Sequence, residues 1–145
     1  MKRLLRCTVL VAGLLLLGLG LRQSIAIRRS STDEVNAYLV RIAPYTSTQA
    51  IIESVQHSAP YLERVLSTIE GLEPPPDLVE AHALLVEGYS FILDGRRVLD
   101  SHPRGEERAE GAFMMDWGIS RLWEHQRLVM EYLIEQQLKE KGSSS

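Results

Sequence analysis

The residues best suited to chemistry are polar and aromatic side chains on otherwise apolar helical stripes. His82 and Tyr89 stand seven residues apart, a spacing that keeps two side chains on one face of a helix. If their helix pairs with the next one about a turn near Pro103, position 82 faces about position 124 and position 89 faces position 117. This pairing places His82 near Gln126 and Tyr89 near Trp117.

These four residues support two interpretations. A polar pocket in the centre of a bundle can hold a small ligand, and an imidazole there can respond to pH near neutrality. The alternative is a buried polar layer that fixes helix register, or a histidine at the edge of the bundle. We take His82, Tyr89, Trp117 and Gln126 as the candidate ligand-binding or partner-binding residues.

The sequence has none of the motifs that carry common catalytic or metal chemistry. It contains no Glu-x-x-His, no His-Glu-x-x-His, no calcium loop and no Gly-x-Ser-x-Gly. The single cysteine, Cys7, lies in the N-terminal segment, so no thiol is available for catalysis or zinc binding after it. We therefore expect that the protein is not an enzyme, has no catalytic residues, and binds no metal or cofactor.

The charges divide the chain into a basic leader and an acidic body. The first 30 residues carry six basic residues and no acidic one. Residues 31–145 carry all 19 acidic residues and 10 of the 16 basic ones, a net charge of −9. Binding to the phosphate backbone requires a surplus of Lys and Arg, so we expect no nucleic-acid partner.

Residues 1–30 have the order of a secretory signal or a single membrane anchor: basic residues, an apolar run over 7–21, then small residues. The 15-residue run spans ~22 Å as a helix, short of the ~30 Å hydrocarbon core, which favours cleavage near Ala26. Leu4 and Leu5 extend it towards a membrane span, and Arg22 disfavours cleavage. The body is expected outside the cytoplasm in both cases. The anchor residues are Val9, Leu10, Val11, Leu14, Leu15, Leu16, Leu17, Leu19 and Leu21.

Residues 31–142 show helical periodicity and no strand-like alternation. We predict a short helix over 33–43 that ends at Pro44, and a second from 46–48 to about 70 that is kinked at Pro60. A third helix begins near 77, a fourth spans about 106–141, and residues 143–145 form a disordered tail. The predicted fold is all-α: an N-terminal hydrophobic helix, then an up-down antiparallel bundle of three long helices plus one short helix.

Two functions are compatible with this layout. The first is a protein-interaction module, anchored through its N-terminal helix or exported, that presents a helical face to another membrane or exported protein. An exposed apolar stripe on the second or fourth helix would support it. The second is a bundle that binds a small ligand, which requires a cavity beside His82.

The apolar face of the fourth helix is widened by three aromatic residues, Trp117, Trp123 and Tyr132. We expect these side chains in the core.

Overall fold

The computed structural model describes residues 30–102 and 104–142, and this part of the chain is all-helical, without strands. The predicted all-α class is therefore confirmed, whereas the predictions for residues 1–29 and for the tail lie outside the described residues. The α-helices are α1 (Thr32–Thr46), α2 (Thr48–Ser54), α3 (Ala59–Glu70), α4 (Val79–Ser101) and α5 (Glu106–Gly142), with a 3₁₀ turn at Pro76–Leu78. None of these helices is long and apolar enough to cross a membrane.

Helix α1 begins where the sequence predicts and continues one turn further. The Ser31 hydroxyl accepts a hydrogen bond from the Glu34 backbone N–H, and the Glu34 carboxylate accepts one from the Ser31 N–H. Pro44 lies inside the helix and does not end it, although it lacks an N–H donor for a helical hydrogen bond. The Thr46 hydroxyl also donates to the Ile42 carbonyl, at 3.1 Å.

The predicted second helix is two helices, so the prediction of one kinked helix was wrong. Helix α2 ends at Ser54, and α3 begins at Ala59 with Pro60 in its first turn. A proline at that position costs no helical hydrogen bond, since the first N–H groups of a helix have no partner within it. The Arg96 guanidinium of α4 donates to the Val55 carbonyl and so satisfies the end of α2.

Helices α4 and α5 form an antiparallel pair in close contact. A Cβ atom added to Gly118 would lie 2.6 Å from the Gly88 carbonyl oxygen, and one added to Gly95 would lie 2.5 Å from that of Gly111. These pairs match the predicted register, in which position 82 faces about position 124. The sequence prediction for this pair named His82 with Gln126 and Tyr89 with Trp117 and did not include the glycines, although glycines allow two helix backbones to approach this closely.

Helix α1 runs beside α4 in the same direction, because Tyr38 contacts His82 and Tyr45 contacts Tyr89, an offset of 44 residues in each pair. Helix α5, with 37 residues against 23 in α4, continues past the start of α4 and lies beside α1. The most deeply buried apolar side chains, none more than 1% exposed, are Ile42, Ile51, Leu62, Ile69, Leu78, Leu85, Ile92 and Leu122.

Candidate functional site

Three of the four predicted site residues form hydrogen bonds with α1. The Tyr38 hydroxyl lies 2.9 Å from His82 Nδ1. The Tyr89 hydroxyl donates to the Tyr45 carbonyl at 2.8 Å, and the Gln126 side-chain amide donates to the carbonyl of the next residue, Thr46. The last carbonyls of a helix have no partner within it, so Tyr89 and Gln126 satisfy the C-terminal end of α1. We call His82, Tyr89 and Gln126 the polar layer.

Trp117 does not join the polar layer. Its side chain is 43% exposed, and the Arg121 guanidinium carbon lies 4.9 Å from the centre of its ring. Gly88 and Gly118, rather than Tyr89 and Trp117, occupy the contact between the two helices at this level. Tyr89 is directed to α1 on one side of this contact, and Trp117 lies at the surface of α5. Trp123, also predicted in the core, is 40% exposed.

His125 belongs to the same region and was missed by the sequence prediction. It is 1% exposed, and its Nδ1 lies 2.7 Å from the carbonyl oxygen of Ala81, the neighbour of His82. A carbonyl only accepts hydrogen bonds, so Nδ1 of His125 carries the proton. The sequence does indicate His125, because it stands between Leu122 and Val129 at helical spacing, but the prediction placed Gln126 beside His82 instead.

Burial keeps this region uncharged at neutral pH. It lowers the pKa of His82, and it lowers that of His125, where the hydrogen bond to Ala81 acts in the opposite direction and the charge of His82 adds to the lowering. Burial also raises the pKa of Tyr38 to about 12 and raises that of Tyr89 further. The polar layer therefore consists of neutral donors and acceptors, a composition suited to holding α1 in place.

A separate surface groove of about 650 Å³ lies between α1 and the proline-rich turn before α4. Tyr38 and Arg41 line it on the α1 side, and Pro74 and Val79 on the other. It is open to solvent and does not include Tyr89, Trp117 or Gln126. Within residues 30–102 and 104–142, no group of three or more His, Cys, Asp or Glu side chains is placed to hold a metal ion.

The most distinctive surface is the side of α5 that faces away from the core. Its apolar members are Phe113, Trp117, Ile134 and Leu138, which are 66%, 43%, 51% and 65% exposed. Phe113 stacks on Trp117 with ring centres 6.3 Å apart. Between the two apolar pairs lie polar and charged side chains at the same helical spacing. We call the whole set the outer seam: Phe113, Trp117, Ser120, Glu124, Arg127, Glu131, Ile134 and Leu138.

The two regions thus differ in what remains available for binding. Each residue of the polar layer forms one hydrogen bond with α1, whereas four large apolar side chains of the outer seam remain in contact with solvent. Exposed apolar residues aligned on one helix face are typical of surfaces that bind another protein. Comparison of the chain with protein-family models, with curated proteins and with solved structures gave no match.

Proposed function

We propose that this protein is a protein-interaction module whose binding surface is the outer seam of α5. The observation that carries the proposal is the exposure of Phe113, Trp117, Ile134 and Leu138 on one face of a single helix. Full burial of a large apolar side chain gains about 1.5–3 kcal/mol, and these four are about half exposed, so a partner that covers them gains roughly half of that for each. The proposed role is binding rather than catalysis.

The alternative function, a bundle that binds a small ligand, has weaker support at the predicted position. The side chains of His82, Tyr89 and Gln126 already bond to α1, so a ligand that used the same atoms would have to displace that helix. Trp117 lies away from them, at the surface. The groove beside Arg41 is the remaining support for this alternative.

The proposal includes the arrangement of the whole chain. We infer an N-terminal hydrophobic helix followed by an up-down antiparallel bundle, with the body held outside the cytoplasm by an anchor over 7–21 or released there after cleavage near Ala26. Ser30 exchanges hydrogen bonds of 3.1 and 3.2 Å with Asp77, so the leader would join the bundle beside the start of α4. A partner would then be another membrane or exported protein.

The proposal is tested by site-specific photocrosslinking in intact cells that express the full chain. A photoreactive phenylalanine analogue is placed at Phe113 or Ile134 on the outer seam, and at Val40 as the control. Val40 is 73% exposed and lies on α1, away from the seam. We expect a defined larger product from the two seam positions only, and we expect Trp117→Glu to abolish it. Equal labelling at Val40, or no product at either seam position, would overturn the proposal.

A further inference from the structure

The outer seam has a pattern that reads the same in both directions. Its eight residues are separated by steps of four and three in strict alternation, starting and ending with a step of four. A helix with this spacing packs against a second helix along one continuous line. The spacing is symmetric about a point between residues 125 and 126. If two copies of α5 pair in antiparallel orientation about this point, every seam residue of one copy therefore lies opposite a seam residue of the other.

We propose that the partner of the outer seam is a second copy of this chain, bound antiparallel through α5. Opposed residues are those whose numbers add to 251. Phe113 then packs on Leu138 of the second copy, and Trp117 packs on Ile134. The interface is self-complementary, as a twofold dimer requires, since each of these contacts occurs twice. This inference rests on the proposed function of the same surface and specifies its partner.

The charges in the middle of the seam select this orientation. In the antiparallel arrangement, Glu124 of each copy faces Arg127 of the other, and Ser120 faces Glu131. In a parallel arrangement the same residues would face themselves, which would oppose Glu124 to Glu124 and Arg127 to Arg127. Like charges held opposite each other are unfavourable, and charges at such positions set the orientation of paired helices. The seam charges are partly accessible, with Glu124 40% exposed and Arg127 and Glu131 each 55% exposed. Arg127 also pairs with Glu131 at 2.7 Å within α5, so in the dimer it is shared between that residue and Glu124 of the second copy.

The available area is sufficient for a specific dimer. Trp123 and Met130, which are 40% and 57% exposed, flank the four apolar seam residues. At roughly 200 Å² for a large side chain, six such residues that are about half exposed offer about 600 Å² of apolar surface. A standard interface buries about 800 Å² on each partner, so the polar seam residues supply the remainder. Helix α5 is ~55 Å long, which accommodates the contact without other elements.

Disulfide crosslinking between copies tests both the partner and the orientation. The experiment uses the full chain with Cys7→Ser, purified in a mild detergent at ~0.15 M salt. One sample carries Ser120→Cys and a second carries Glu131→Cys, and the two are oxidised separately and as a mixture. The antiparallel dimer predicts a disulfide in the mixture that joins one chain of each kind, with little product in the separate samples.

Each outcome of the disulfide crosslinking either supports or overturns the antiparallel dimer. A crosslink within each separate sample, with no preference for the mixed product, would indicate parallel pairing and overturn the proposal. Absence of any crosslink would overturn it as well. If the photocrosslinking experiment then still gave a product at Phe113 and Ile134, the interaction function would stand and only the second copy would be rejected as its partner. A mixture of Ser120→Cys with Val40→Cys is the control for random collision.

Sedimentation equilibrium of the full chain measures the strength of the contact. We expect Ile134→Ser to weaken the dimer about tenfold or more, because it removes an apolar side chain from the interface. Val40→Ser makes the same kind of change at an exposed aliphatic residue off the seam and should leave the dissociation constant unchanged. Equal effects of the two substitutions, or none from either, would contradict the proposed interface.

A mixing experiment tests the charge pairing without altering the apolar contacts. Glu124→Arg alone places two arginines opposite each other in the dimer, and Arg127→Glu alone places two glutamates opposite each other. We expect each variant to dimerise about tenfold more weakly than the parent chain, and an equal mixture of both to recover most of the lost affinity. Loss of affinity through unfolding would not be rescued by mixing, so a failure to recover would count against the pairing of Glu124 with Arg127.

Discussion

Gly88 of α4 and Gly118 of α5 face each other so closely that a Cβ atom on Gly118 would lie 2.6 Å from the Gly88 carbonyl oxygen. The same Cβ atom would lie 2.7 Å from a side-chain carbon of Ile92. The backbone cannot yield at one residue without moving the helix, so this contact sets the distance between α4 and α5.

Overpacking usually costs about 1–3 kcal/mol, and the higher helix propensity of alanine offsets about 1 kcal/mol of it. We therefore expect Gly118→Ala to lower the free energy of unfolding by up to about 2 kcal/mol. Urea unfolding followed by circular dichroism measures the difference. Gly142→Ala is the control, because nothing lies within 4 Å of a Cβ atom there. A stabilised Gly118→Ala variant would show that the two helices are not in this contact.

The end of α1 should depend on its side-chain hydrogen bonds. Tyr89→Phe keeps the ring and removes only the hydroxyl that donates to the Tyr45 carbonyl. We expect a loss of about 1–3 kcal/mol, because the carbonyl of Tyr45 is left without this partner. Amide hydrogen exchange at the last turn of α1 should also be faster in the Tyr89→Phe variant. Tyr61→Phe is the control, since Tyr61 is 39% exposed, and an equal effect there would contradict the assigned role.

Stability should decrease as the solution becomes acidic, because burial lowers the pKa values of His82 and His125 in the folded state. The unfolded chain, with histidine pKa values near ~6.5, then binds more protons than the folded chain. The contribution of the two neutral histidines to the free energy of unfolding is complete above pH ~6.5. It is lost as the pH falls from ~6.5 towards the lowered pKa values of the folded state. Urea unfolding at a series of pH values measures this slope.

His125→Gln should reduce the slope, because it removes one of the two imidazoles whose pKa is lowered and keeps a polar group that can donate to the Ala81 carbonyl. His102→Gln is the matched control, since His102 is exposed at the end of α4. A slope that is unchanged by His125→Gln would show that this residue does not titrate as described.

The start of α1 should depend on its capping box. Ser31→Ala removes the hydroxyl that accepts from the Glu34 N–H at 3.2 Å, and we expect a loss of about 0.5–2 kcal/mol in unfolding free energy. Thermal unfolding measures it. Ser31→Asp restores an acceptor and should recover most of the loss, whereas a destabilised aspartate variant would contradict the capping role.

The sequence alone was sufficient for features that depend on local spacing. Helical periodicity identified the all-α class, because the spacing of apolar residues along one helix is a local property of the sequence. The facing of positions 82 and 124 followed from one short turn between two long helices, since such a turn fixes their register. The break near Pro60 was missed, because a proline within an apolar stripe is compatible with either a kink or a new helix start.

Only the tertiary structure decided which side of each helix meets which neighbour. His82, Tyr89 and Gln126 looked like a pocket because their stripe was read as facing one helix, whereas α1 lies over them and takes up their hydrogen bonds. Trp117 and Trp123 were expected in the core, but the glycine contacts of α4 with α5 turn them to the surface. Periodicity gives the angle of a side chain around its own helix, and the packing of the other helices determines whether that angle points to core or to solvent.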